Sequence, residues 1–191
     1  MGSTYGNVTL LGVTPDQVQA VAPRPAHLAA DGDAVVVFAA VDDEGAARSG
    51  RALSESLGCL AVGVAVYDDD ILSVDVHDHG RLVGSLTVPD PQEYFDLDPE
   101  MLEGLDQLDE EAAAMLGGAP MGAADLVRAV GRGDIDAVTR ALAEGDRSAT
   151  QRHRRLVDAL GLPTAAVGWG HRYLTKDPDA YTGPALTTLA P

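Results

Sequence analysis

The first 88 residues form a succession of short apolar runs, each closed by a turn signal. That punctuation favours an antiparallel sheet over a helical bundle. Thr4 to Val13 reads as a strand through Tyr5, Val8, Leu10 and Leu11. Thr14-Pro15-Asp16 then opens a short helix, with a hydroxyl N-cap, proline at the first position and an acid in the first turn. Pro23 and Pro25 stop it. His27 to Ala30 and Ala34 to Val41 are two strands joined through Asp31-Gly32-Asp33, whose Asp-Gly step signals a hairpin. A second helix starts at Asp42-Asp43-Glu44 and runs to about Leu57, with Gly58 where a C′ glycine belongs. Leu60 to Tyr67, Ile71 to Val76 and Arg81 to Val88 complete a meander turned at Asp68-Asp69-Asp70 and at His77-Asp78-His79-Gly80.

This order, β-α-β-β-α-β-β-β, predicts an α+β fold: a mainly antiparallel sheet with helices packed on one face. A helical carboxy-terminal section and a final short strand follow. Pro89 and Pro91 mark a boundary, so the expected organisation is a sheet domain over residues 1–95, an acidic linker over 96–120, and a helical section over 121–191 docked on the sheet. The stretch Asp96 to Glu111 holds eight acids and no base, which predicts a solvated segment. Helices are expected over Ala123 to Val130, Ile135 to Ala143 and Ala149 to Leu160, punctuated by Gly131, Gly133, Gly145 and Gly161. Ala165 to Trp169 and Tyr173-Leu174 read as extended, and the tail from Lys176 as coil. Trp169, the one tryptophan of a chain with only 4% aromatic residues, is expected against the sheet.

Composition bounds the function. Thirty acids against thirteen bases give a formal charge of −17, which disfavours nucleic acid and anionic membranes as partners. Twelve of the bases are arginine and Lys176 is the single lysine, as a GC-rich coding sequence would produce. Cys59 is the lone cysteine, so an internal disulfide and a cysteine metal cluster are both excluded. The start shows no basic region followed by an apolar stretch, and no apolar run reaches the ~20 residues that span a bilayer. A cytoplasmic location is expected.

Three stretches carry a resemblance: Ser3 to Leu10, Tyr67-Asp68-Asp69-Asp70-Ile71-Leu72 leading to His79-Gly80-Arg81-Leu82-Val83, and Leu160-Gly161-Leu162-Pro163 followed by Ala166 to Leu174. Together they resemble a group of small uncharacterised bacterial proteins in which a D-D-D-x-L strand precedes a D-G-x-L-V hairpin. The resemblance implies no activity, and His79-Gly80 stands where that group has Asp-Gly.

Four clusters have chemical potential. His77, Asp78 and His79 could ligate Zn²⁺ or Fe²⁺ if residues 77 and 79 share a strand face, or could simply make a polar hairpin turn. Asp68-Asp69-Asp70 lacks the spaced oxygens, glycine and closing glutamate of a calcium loop and reads as a solvated turn. Arg152, Arg154 and Arg155, with Arg147 and His153, form a basic patch for a phosphate or an acidic partner, or for the acidic segment of the same chain. Trp169, His171, Arg172 and Tyr173, flanked by glycines, have the composition of a binding hot spot, or of a last strand filling the core.

No catalytic residue is assigned. The chain has no G-x-S-x-G, no Walker sequence and no G-x-G-x-x-G, so no cofactor is expected. These features predict a non-catalytic interaction module, an acidic inhibitor or immunity-type partner of a basic protein. The alternative is a metal-dependent enzyme or small-ligand-binding protein using His77 and His79 or the Trp169–Tyr173 segment.

Overall fold

In the computed structural model, residues 2–40, 45–90, 121–143 and 148–191 are described, with backbone alone at 45–48. The acidic linker and Arg147 lie outside the described residues. The strands are β1 (Tyr5–Leu11), β2 (Ala26–Asp31), β3 (Ala34–Ala39), β4 (Leu60–Tyr67), β5 (Ile71–Asp78), β6 (Arg81–Val88) and β7 (Leu186–Leu189). The helices are α1 (Pro15–Val21), α2 (Gly45–Leu57), α3 (Ala123–Val130), α4 (Ile135–Leu142), α5 (Ala149–Leu160) and α6 (His171–Lys176). The fold is α+β, with the expected order through β6. Seven strands form one open sheet in the order β6-β5-β4-β1-β3-β2-β7, every pairing antiparallel.

Local chemistry accounts for the elements. Thr14 and Gln17 close a reciprocal capping box at the start of α1. Asp134 caps α4 and Ser148 caps α5, while Gly131 and Gly161 take the left-handed conformation that ends α3 and α5. His79 and Gly80, at φ 50° and 79°, make a two-residue turn between β5 and β6 whose twist suits a hairpin.

Strand periodicity sorts the core into two faces. Val8, Leu10, Val35, Val37 and Ala61 point towards α1 and α2, where they bury Val18 and Leu53. Val62, Val64, Val66, Leu72, Val74 and Val76 point the other way, against Leu126, Val138, Leu156, Val157 and Leu160 of α3, α4 and α5. Helices α1 and α2 occupy one face as expected, and the carboxy-terminal helices take the opposite one.

Residues 164–191 differ from the sequence reading. Residues Thr164–Ala166 form a short 3₁₀ turn and His171–Lys176 a helix, where extended chain was expected. Gly168, at φ 81°, breaks the run, and the extended Gly170 starts the helix. The final strand is instead Leu186–Leu189, within the expected coil, and it pairs with β2 through four residue pairs. Four residues between prolines give little periodicity, so β2 supplies the template.

A chain ended at Pro120 would uncover the apolar side of β4 and β5. Such a chain is expected to aggregate or bind a hydrophobic dye. Gel filtration and dye fluorescence check this; a monomeric, dye-silent, cooperatively folding product would show that the sheet stands alone.

Candidate functional site

Strand β1 lies at the centre of the sheet yet presents Tyr5, Asn7 and Thr9 on the α5 side, all buried. Buried polar groups need partners, and the carboxy-terminal third supplies them for the Tyr5 hydroxyl and for Asn7 Nδ2. The Asn7 amide donates from Nδ2 to the carbonyls of Ala166 (2.8 Å) and Trp169 (3.0 Å), tying the Thr164–Ala166 turn to the sheet. The Tyr5 hydroxyl lies 2.8 Å from His153 Nδ1, with the two rings stacked at 5.8 Å between centroids. Burial pushes the tyrosine up to about 12, against the opposing hydrogen bond from the Gly168 backbone. His153 is wholly enclosed, and desolvation, helped by Arg154, pulls it down to about 3, so the ring is neutral. Among the described residues its Nε2 finds no hydrogen-bond partner.

The Asp68-Asp69-Asp70 turn is structural in a way the sequence did not disclose. Asp68 and Asp69 hold left-handed backbone, at φ 48° and 63°, which short polar side chains tolerate. The Asp69 carbonyl accepts from Ala149 N (2.7 Å) and its carboxylate from Thr150 N (2.9 Å), so this turn caps α5 from outside. Burial raises the Asp69 carboxyl, but hydrogen bonds from Thr150 and Ser148 outweigh it and hold the group below its usual range. On the other side, Asp68 N donates to Thr4 Oγ1 and Asp69 N to the Ser3 carbonyl. Left-handed aspartates before a strand were the available signal.

His77 and His79 are not brought together as a ligand pair. His77 is buried beneath α2, where a Cβ on Gly50 would meet its Nδ1 at 3.5 Å; burial and then Arg51 lower its basicity. His79 stands in the exposed turn, 2.6 Å from the Asp78 carboxylate. The strand ends at Asp78, and His79 takes the left-handed conformation of the turn at φ 50°, so the two rings do not share a strand face. Among the described residues no group of three His, Cys, Asp or Glu side chains is placed to hold a metal. Cys59 is buried beside β4 and its thiol is pushed up by burial, then by Asp78.

The arginine patch divides. Arg152 is buried, with its guanidinium 3.5 Å from the Asp70 carbonyl, whereas Arg154 and Arg155 are exposed. Trp169, His171, Arg172 and Tyr173 do share one region, around the start of α6. Trp169 is half-buried, edge-on to Tyr181 at 5.4 Å, and Tyr181 is edge-on to the fully buried Phe38 at 6.2 Å. His171 lies 5.2 Å from His27, whose ring nitrogens reach Thr188 and Thr175. Burial and then the His171 ring lower the basicity of His27. Arg172 covers the Tyr173 ring at 5.4 Å, and the Tyr173 hydroxyl accepts from Thr4 N. Tyr181, a member of this cluster from the tail, was not anticipated. Its phenol is driven up to about 12 by burial and by Asp31.

Comparison with protein-family models, with curated proteins and with solved structures finds no match. Among the described residues no helix is long and apolar enough to cross a membrane.

The buried histidine makes stability depend on acid in a specified direction. His153 binds a proton near pH 3 when folded and near pH 6.5 when unfolded. Its neutral burial is therefore harmless above pH 6.5, and stability falls by up to a few kcal/mol as pH drops through the window from 6.5 to 3. Asp75, raised by burial to about 6, acts in the opposite sense: its contribution is present below pH 3.8 and lost as pH rises through 6. Denaturant melts of the His153→Gln and Asp75→Asn variants across pH 4–7 are expected to show slopes changed in opposite directions. Tyr5→Phe, which strips the hydrogen bond that the described residues give the His153 ring, is expected to cost about 1–3 kcal/mol by the same measurement.

Proposed function

We propose that this protein is a non-catalytic interaction module that binds a basic protein, in the manner of an acidic inhibitor or immunity-type partner, within the cytoplasm. The observation that carries the reading is the formal charge of −17 displayed on a sheet-centred scaffold. Asp16, Asp31, Asp136, Asp158, Asp177 and Asp179 are all exposed and lie outside the ion pairs formed among the described residues, which engage Asp33, Asp78 and Asp125. Such a field steers a cationic protein into encounter and repels polyanions. Side chains with chemical potential serve the fold: His153 is neutral against Tyr5, Cys59 is buried, and His77 packs under α2.

A second reading rests on the Trp169–Tyr181 cluster. Its half-buried aromatic rings beside His171 and Arg172 have the composition of a small-ligand or hot-spot surface.

Affinity capture from the source cells, at low and at physiological salt, is expected to recover a basic protein in stoichiometric amount. Its association rate should fall steeply as salt rises. Recovery of no stoichiometric partner under either condition would sink the reading. Weakened capture on Trp169→Ala, with the salt dependence of the remainder unchanged, would move the contact to the aromatic cluster.

A further inference from the structure

Strand β7 pairs with β2 alone, through four residue pairs, and Leu189 is its one buried side chain. Among the described residues its side-chain hydrogen bond is that of the Thr188 hydroxyl, 3.1 Å from His27 Nδ1. The other nitrogen of the same ring, Nε2, lies 3.2 Å from the Thr175 hydroxyl of α6. A single imidazole on β2 thus joins both ordered elements of the tail. His27 is 8% exposed, and the ring of His171 packs against it at 5.2 Å between centroids. A neutral imidazole donates from one nitrogen and accepts at the other, so two hydroxyls satisfy His27 as long as it stays uncharged. No carboxylate stands ready for the charged form. Strands β3 and β7 carry no ionisable side chain, and α6 adds the exposed cations Arg172 and Lys176 to His171. Arg24, ahead of β2, is exposed as well. The acids of this end, Asp31, Asp177 and Asp179, are exposed, and neither ring forms an ion pair among the described residues. Tyr181, with its phenol driven up to about 12, stays neutral. Burial lowers the basicity of both rings, and the neighbouring His171 lowers that of His27 further.

We propose that β7 is an acid-released strap: when His27 and His171 take up protons, the strand leaves β2 and uncovers that strand's outer edge. Departure of Thr188 lets water reach His27, which a charged imidazole requires. The direction follows from linkage. Both rings bind protons less readily with the strap in place, so the closed form is favoured above about pH 6.5 and loses ground as pH falls below it. Helix α6 stays behind, because Leu174 is buried and the Tyr173 hydroxyl accepts from Thr4 N. What opens is the backbone of Ala26–Ala29, a free edge that accepts a further strand. The strap is distinct from the exposed carboxylates that the basic-partner reading uses, so each stands or falls separately.

Amide hydrogen exchange of the full-length protein, corrected for the intrinsic effect of pH on exchange, reads the strap directly. Between about pH 7.5 and about pH 5.5 the Leu186–Leu189 segment is expected to lose protection on the order of tenfold, while the ladder between β1 and β4 loses less. His171→Gln, which removes one of the two charges from a partly buried position, should flatten that loss. Thr188→Val, which keeps the strand but strips its bond to His27, should lower the protection of β7 already at the higher pH. His153→Gln should leave the loss at β7 intact, since that histidine sits against Tyr5 and not in this cluster. A strap equally protected at both pH values overturns the proposal. So does a loss shared equally by β1 and β4, which would belong to the whole molecule, or one that persists undiminished in His171→Gln.

Discussion

A polar side chain in the middle of a sheet is tolerated only if something comes to meet it. Strand β1 is flanked by β3 and β4 and still buries Tyr5, Asn7 and Thr9. That choice dictates much of what surrounds it. Asn7 needs carbonyl oxygens at its Nδ2, so the Thr164–Ala166 turn must lie over β1 with the Ala166 and Trp169 carbonyls facing down. Tyr5 needs a partner for its hydroxyl, so α5 must present His153 there rather than an aliphatic residue. With α5 and the turn placed, α6 and the Trp169–Tyr181 aromatic pair follow over β2 and β3.

The antiparallel sheet and its element order were legible because turn chemistry and period-two alternation agree over the first 88 residues. The helices after residue 121 were legible for a similar reason: glycines and capping side chains fall at their ends. Residues 164–191 resisted because their conformation is imposed from outside. Leu186–Leu189 becomes a strand by pairing with β2, and His171–Lys176 becomes a helix after Gly170, where a side chain would press on Tyr5. A Cβ there would stand 3.1 Å from that of Tyr5.

The site residues divide along the same physical line. Trp169, His171, Arg172 and Tyr173 are neighbours in sequence and remain neighbours in space. Arg152, Arg154 and Arg155 are also close in sequence, but a helix turns about 100° per residue, so Arg152 is buried while Arg154 and Arg155 are exposed. Tyr181 was invisible to any local reading, since it meets its cluster only through tertiary packing. The three consecutive aspartates carried a signal that charge alone obscured. Left-handed backbone at Asp68 and Asp69 turns their polar atoms towards Thr4 and the first residues of α5.

The pairing of residue 5 with residue 153, and of residue 7 with residues 166 and 169, has a consequence for how the molecule is made. On a ribosome the first strand emerges long before its polar partners are translated. Until α5 and the following turn leave the exit tunnel, Tyr5 and Asn7 must keep their hydrogen bonds with water, and the α5 side of β1 cannot be sealed. The nascent sheet thus stays wet on that side until residues 153–169 have been translated, and the chain closes over it only then.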